Sequence, residues 1–166
     1  MMTGSTIRQA GEEGPVGLGG WLVLVALGLI LNPIRLLVFL VQTYPPIFQT
    51  GAWEALTTPG SESYHQLWAP LLIFEVAGNI AVIVASLALL VLFFRRSRHF
   101  PKLFVAFALI NLVFVILDAW LGSLVITDEP MFDPVTAREL GRSLIAVLVW
   151  VPYMFRSRRV RNTFVL

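Results

Sequence analysis

Residues 71–120 read LLIFEVAGNIAVIVASLALLVLFFRRSRHFPKLFVAFALINLVFVILDAW, two long apolar runs on either side of a basic turn. Each run reaches about 18 residues or more, the length at which a helix crosses a hydrocarbon layer of about 30 Å. The turn carries Arg95, Arg96, Arg98 and Lys102, and clustered Lys and Arg mark a cytoplasmic loop. This stretch predicts a transmembrane hairpin, with spans at 66–94 and 103–126.

Two further spans flank it, at 17–42 and 135–155. Between Leu18 and Val41 the first holds sixteen Leu, Ile, Val or Phe residues. At about −0.3 to −0.6 kcal/mol each these outweigh Arg35 at about +2.5 to +3.5 kcal/mol, so the segment inserts. Pro33 removes a backbone donor and predicts a kink, and Tyr44-Pro45-Pro46 is read as the end of the span. A cleaved signal peptide is disfavoured, because no small-x-small site follows the first apolar stretch and the run continues to Val41. The loop 43–65 offers either a short interfacial helix over Ile47–Leu56 or an irregular loop with aromatic anchors.

Composition agrees with a chain built for lipid. Of 166 residues 57% are hydrophobic and 13% charged, where a soluble domain carries about a quarter charged. The isoelectric point near 9.5 is topological rather than a sign of nucleic-acid binding. Four basic residues lie in the 95–102 turn and four in the tail after 155, with one in the N-terminal tail. The fold class is therefore an all-α, integral-membrane four-helix bundle with both termini cytoplasmic. Its parts are an N-terminal tail over 1–16, a transmembrane domain over 17–155 and a basic tail over 156–166. The tail suits either anionic lipid or a bare topology signal.

Charges inside the spans carry the functional question, because an ionisable group in hydrocarbon ordinarily has a partner or a task. At 1.5 Å per residue from the cytoplasmic borders, Arg35 lies about 27 Å up, Glu75 about 30 Å, Asp118 about 24 Å, Arg138 about 27 Å and Arg142 about 21 Å. All fall in the outer half of the membrane. Glu75 and Asn79 share a helix face, as do Arg138 and Arg142, each pair being spaced i,i+4. The residues Arg35, Glu75, Asn79, Asp118, Arg138 and Arg142 are thus expected to converge. Three readings follow: an ion-pair network that fixes register, a pocket in which arginines hold an anion, or a proton or ion relay through Glu75 and Asp118. With Glu139 included, the formal charges cancel, which suits the first.

Chemistry elsewhere is sparse. The absence of cysteine excludes disulfides and thiolate sites. His65 and His99 fall at opposite membrane faces and cannot jointly ligate a metal or haem. No nucleophile elbow, phosphate loop, zinc-protease motif or dinucleotide glycine pattern occurs. The sequence points to a non-enzymatic protein without cofactors. Its expected partners are membrane lipids, with a homo-oligomer or a larger membrane complex as further options. The alternatives to a pocket are an accessory subunit docked by its charges and a small oligomeric transporter.

Two motifs remain. Gly17-Leu18-Gly19-Gly20-Trp21-Leu22 opens the first span, followed by Pro33-x-Arg35. Trp150-x-Pro152-Tyr153 closes the last, followed by Ser157-x-Arg159-Val160-x-x-Thr163-Phe164. In both, the chain resembles the small bacterial membrane family known as domain of unknown function 2569. The resemblance covers residues 17–166 and implies a four-helix inner-membrane protein. It assigns no catalytic or binding residue.

Overall fold

The structure is a computed structural model that describes residues 16–126 and 130–165. The tail expected over 1–16, apart from Val16, and the loop acids Asp128 and Glu129 lie outside the described residues. Six helices are formed: α1 (Trp21–Gln49), α2 (Ala52–Thr57), α3 (Trp68–Phe94), α4 (Phe100–Ser123), α5 (Pro134–Arg156) and α6 (Arg158–Thr163), and no strand occurs among the described residues. Three of them, α1, α3 and α4, are long and apolar enough to cross a membrane. The helix α5 is comparable in length, but Arg138, Glu139 and Arg142 make its first half polar.

The helices are apolar on both faces, as lipid requires. Along α1, Leu22, Val25, Leu29, Pro33 and Leu36 recur at helical spacing and are buried. The opposite face exposes Val23, Leu27, Leu31, Ile34 and Val38. A water-soluble protein rarely shows so large a contiguous apolar surface, whereas lipid tails solvate it without penalty. Helix α1 packs on α3, α3 on α4 and α4 on α5.

Local chemistry sets the ends of the elements. The chain leaves α3 through a Schellman turn, in which Ser97 N–H donates to the Leu92 carbonyl and Arg96 N–H to the Phe93 carbonyl, each at 3.0 Å. Arg96 takes the left-handed position at φ 52°, where glycine is usual. Pro101 then sits in the first turn of α4, where its missing N–H costs nothing. Asp133 caps α5 by accepting from Thr136 N–H at 2.8 Å. That bond holds the exposed Asp133 carboxyl below its ordinary value of 3.8.

Pro45-Pro46 does not end the first long helix as the sequence suggested; α1 runs through both prolines to Gln49. The two prolines withhold their N–H groups from the carbonyls of Val41 and Gln42 only, in the last turns of the helix. Tyr44 is buried there, edge-on to Phe39 at 6.1 Å. The chain reverses at Gly51, with φ 76°, and only Ala52–Thr57 forms the short helix expected over Ile47–Leu56. Phe48 and Trp53 close that turn at 5.2 Å.

At the other end of the bundle the two sequence motifs meet. The tail after α5, expected to lie on anionic lipid or to serve as a topology signal, forms α6, which folds back under the helices. Ser157 caps it by accepting from Val160 N–H at 3.4 Å. Val160, Thr163 and Phe164 form its buried face. Phe164 stacks on Phe100 at 4.7 Å and touches Phe93 at 5.7 Å. The Thr163 hydroxyl accepts from Gly17 N–H at 2.9 Å and donates to the Gly17 carbonyl at 3.3 Å. The Arg159 guanidinium lies over Gly19 and Gly20, close enough that a Cβ on Gly19 would come within 3.0 Å of it. Trp21 meets Trp150 edge-on at 6.3 Å. The start of α1, the basic turn and α6 therefore share one end of the molecule.

Candidate functional site

A slot lies at the centre of the four long helices, bounded by α1 and α5 with α3 and α4 behind it. Its volume is about 280 Å³. Along α1 the lining runs from Leu24 to Leu36, about 18 Å of helix. The lower part is apolar apart from the buried Ser86, with Val25, Leu29, Phe104, Phe107 and Trp150. The upper part is polar, with Asn32, Arg35, Asn79, Asn111, Glu139, Arg142 and Ser143. Trp21 against Trp150 closes the lower end between α1 and α5.

The polar groups are ordered by short bonds. Arg35 Nη1 donates to Glu139 Oε1 at 2.8 Å, the only ion pair among the described residues. Asn79 Nδ2 donates to the Glu75 carbonyl of its own helix at 2.9 Å, leaving its side-chain oxygen uncommitted. Asn111 Nδ2 donates to Ser143 Oγ at 3.3 Å and ties α4 to α5. Arg142 makes neither an ion pair nor a hydrogen bond among the described residues. With Arg35 and Arg142 against Glu139, the slot carries one net positive charge.

The expected convergence of Arg35, Glu75, Asn79, Asp118, Arg138 and Arg142 into one buried cluster is corrected by this arrangement. Arg35, Asn79 and Arg142 line the slot; Glu75, Asp118 and Arg138 do not. The Arg35–Glu139 pair is not buried either, its side chains being 48% and 41% exposed. The reason lies in the packing. Helices α1 and α5 flank the slot instead of packing face to face, so only long side chains bridge them.

Height separates the rest. From the ends of the observed helices, Arg35 and Arg142 both lie about 21 Å up and Asn79 about 22 Å. Glu75 and Asp118 lie higher, at about 28 and 27 Å. Tyr44 lies higher still, at about 34 Å on the same arithmetic, with its hydroxyl nearest Glu75. It is buried and closes no hydrogen bond among the described residues, and neither does the buried Asp118 Oδ1.

Glu139 is the residue that sequence reasoning left out of the site, although it holds Arg35. Its signal was present: Glu139, Arg142, Ser143, Ala146 and Trp150 follow one another at helical spacing and form the α5 wall of the slot.

Residues 15–165 match the family described as protein of unknown function (DUF2569). The chain belongs to this family. The chain is similar to the Inner membrane protein YdgK of Escherichia coli (strain K12), 31% identical over 156 residues, covering 91% of this chain and 95% of that one. No solved structure matches the chain significantly. With three helices able to cross a bilayer and an inner-membrane relative matched over nearly its full length, this DUF2569 member is an inner-membrane protein. Most of the motif residues by which the family was recognised in the sequence gather at the knot between Gly17–Trp21 and α6, while Arg35 and Trp150 line the slot.

Proposed function

We propose that this protein is a non-enzymatic membrane protein whose slot holds an anionic headgroup or solute against Arg142 and Arg35. The observation that carries this reading is Arg142 itself: a guanidinium lining a polar slot with no protein partner among the described residues. Arginine suits the task because its planar fork stays charged and binds phosphate or carboxylate in bidentate fashion. Glu139 fixes Arg35 at the rim, Asn79 supplies a neutral polar contact at the level of the anion and Asn111 one below it.

In this reading α5 is the fourth span. Its 23 residues extend about 35 Å, enough to cross the hydrocarbon, and two of its three charges within the first half, Glu139 and Arg142, line the slot. The basic turn and α6 share one end of the bundle with Gly17, so positive charge assigns that end to the cytoplasm and both termini with it. The slot's polar rim then lies toward the outer surface.

A second reading, an accessory subunit docked on a larger membrane complex or on another copy of the chain, has one observation behind it. An ion pair about half exposed on the flank of a bundle is costly in lipid and would be covered by a partner.

Native mass spectrometry of the purified protein separates these readings. Arg142→Leu should abolish retention of an anionic lipid or solute while the protein stays folded, because no internal contact depends on Arg142. Unchanged retention refutes the pocket, and a stoichiometric protein partner in gentle detergent favours docking instead.

A further inference from the structure

We propose that the slot takes a single-chain anionic amphiphile, a fatty acid or a lysophospholipid, with its anion against Arg142 and Arg35 and its one hydrocarbon chain running down toward Trp150. This rests on the pocket reading and narrows its ligand class from any anionic headgroup or solute to an anion carried on one chain.

The shape of the slot sets the number of chains. A volume of about 280 Å³ spread along about 18 Å of helix leaves a mean section of about 16 Å². Such a passage is about 4 Å across and one carbon chain wide, since carbon atoms in contact stand about 3.5–4.0 Å apart. A second chain on the same headgroup would need a second passage. Midway down, all four long helices place a small residue on the wall: Gly28, Ser86, Ala108 and Ala146, at heights of about 11–15 Å. At Gly28 a Cβ would meet nothing within 4 Å, so the missing side chain leaves open space. Arg35 and Arg142 lie above this ring, at about 21 Å, and Leu24, Val25 and Phe104 wall the passage below it. The single net positive charge of the slot matches one anionic head.

An amphiphile also needs a way in from the membrane. Helices α1 and α5 are bridged by Arg35–Glu139 above and by Trp21–Trp150 below. Between the bridges lie about 21 Å of α1 and about 17 Å of α5, with no hydrogen bond or ion pair joining them among the described residues. At this depth the flank of the bundle meets acyl chains rather than water. A ligand dissolved in lipid therefore reaches Arg142 sideways, between the two helices.

The test uses the full-length protein in phosphatidylcholine nanodiscs doped with equal amounts of palmitate, palmitoyl lysophosphatidylglycerol or dipalmitoyl phosphatidylglycerol. Retained ligand is read by native mass spectrometry. Wild type should hold a single-chain anion about tenfold over the two-chain lipid, the scale of forcing a surplus group into a filled site. Whichever single-chain anion is held more strongly names the source, fatty acid or lysophospholipid. Gly28→Leu should remove that retention by filling the passage. Its fold should stay intact, because the new side chain starts in open space and leucine favours a helix over glycine. Glycerol 3-phosphate, an anion without a chain, should bind this variant and wild type alike. Retention of dipalmitoyl phosphatidylglycerol equal to that of the single-chain anions, or unchanged retention in Gly28→Leu, overturns the single-chain inference and leaves the pocket reading standing. If Arg142→Leu holds every anion as wild type does, or wild type holds none, the pocket reading itself has failed.

Discussion

Replacing Phe164 by alanine should release α6 from the end of the bundle. A buried phenylalanine removes about 150–250 Å² from its surroundings, which at about 25 cal/mol per Å² gives about 4–6 kcal/mol if water were the alternative. It is not the only one here. A detached Phe164 can settle among lipid headgroups and recover much of that transfer energy. What it cannot recover is the stacking on Phe100 at 4.7 Å and the contact with Phe93 at 5.7 Å, worth about 0.5–1.5 kcal/mol each, or the filled volume beneath α1. The expected loss is therefore about 2–3 kcal/mol, confined to one end. Hydrogen exchange in detergent should show faster exchange at Val160–Phe164 and at Gly17–Trp21, which are joined through Thr163, with α3 and α4 little changed. Phe164→Leu should restore part of the protection. If Phe164→Ala exchanges like wild type at both segments, α6 is not held by this contact and the account of the knot is wrong.

Further outcomes are expected at three other places. Gly20→Ala should destabilise more than Gly19→Ala: Gly20 lies at φ +61°, whereas the clash at Gly19 is with the movable end of Arg159. Thermal melts of the two variants check the order. Gly78→Ala should cost about 1–3 kcal/mol, because its Cβ would run into the Phe114 ring that packs on Phe74, and Gly78→Ala with Phe114→Leu should recover part of it. Asp133→Ala should free the first turn of α5. Because the folded carboxyl titrates below 3.8, the cap's contribution is complete above that value and disappears as the pH falls through the lowered one. The melting difference between wild type and Asp133→Ala should accordingly vanish in strong acid.

The long helices were legible because lipid demands uninterrupted apolar length, which composition alone displays. The end of α1 was not, since a proline pair reads as a stop unless the neighbouring carbonyls can find other partners near the surface. The buried face of α6 was written in Val160, Thr163 and Phe164, at spacings of three and four, but surrounding arginines disguised it as a solvated tail. For the site, depth arithmetic brought Arg35 and Arg142 toward a common level once helix ends replaced sequence borders. It could not reveal that α1 and α5 stand apart, and so it missed both the exposure of the Arg35–Glu139 pair and the position of Glu75 and Asp118 above the slot. Height is one coordinate; the rotation and spacing of helices are set by contacts such as Asn111–Ser143, which no periodicity encodes.

The bonds between Thr163 and Gly17 join residues 146 positions apart. During synthesis every long helix leaves the ribosome before Thr163 does, so the bundle can enter the membrane helix by helix but cannot be locked until translation has passed α5. A nascent chain halted short of that point would be threaded into the bilayer with Gly17 still unclasped.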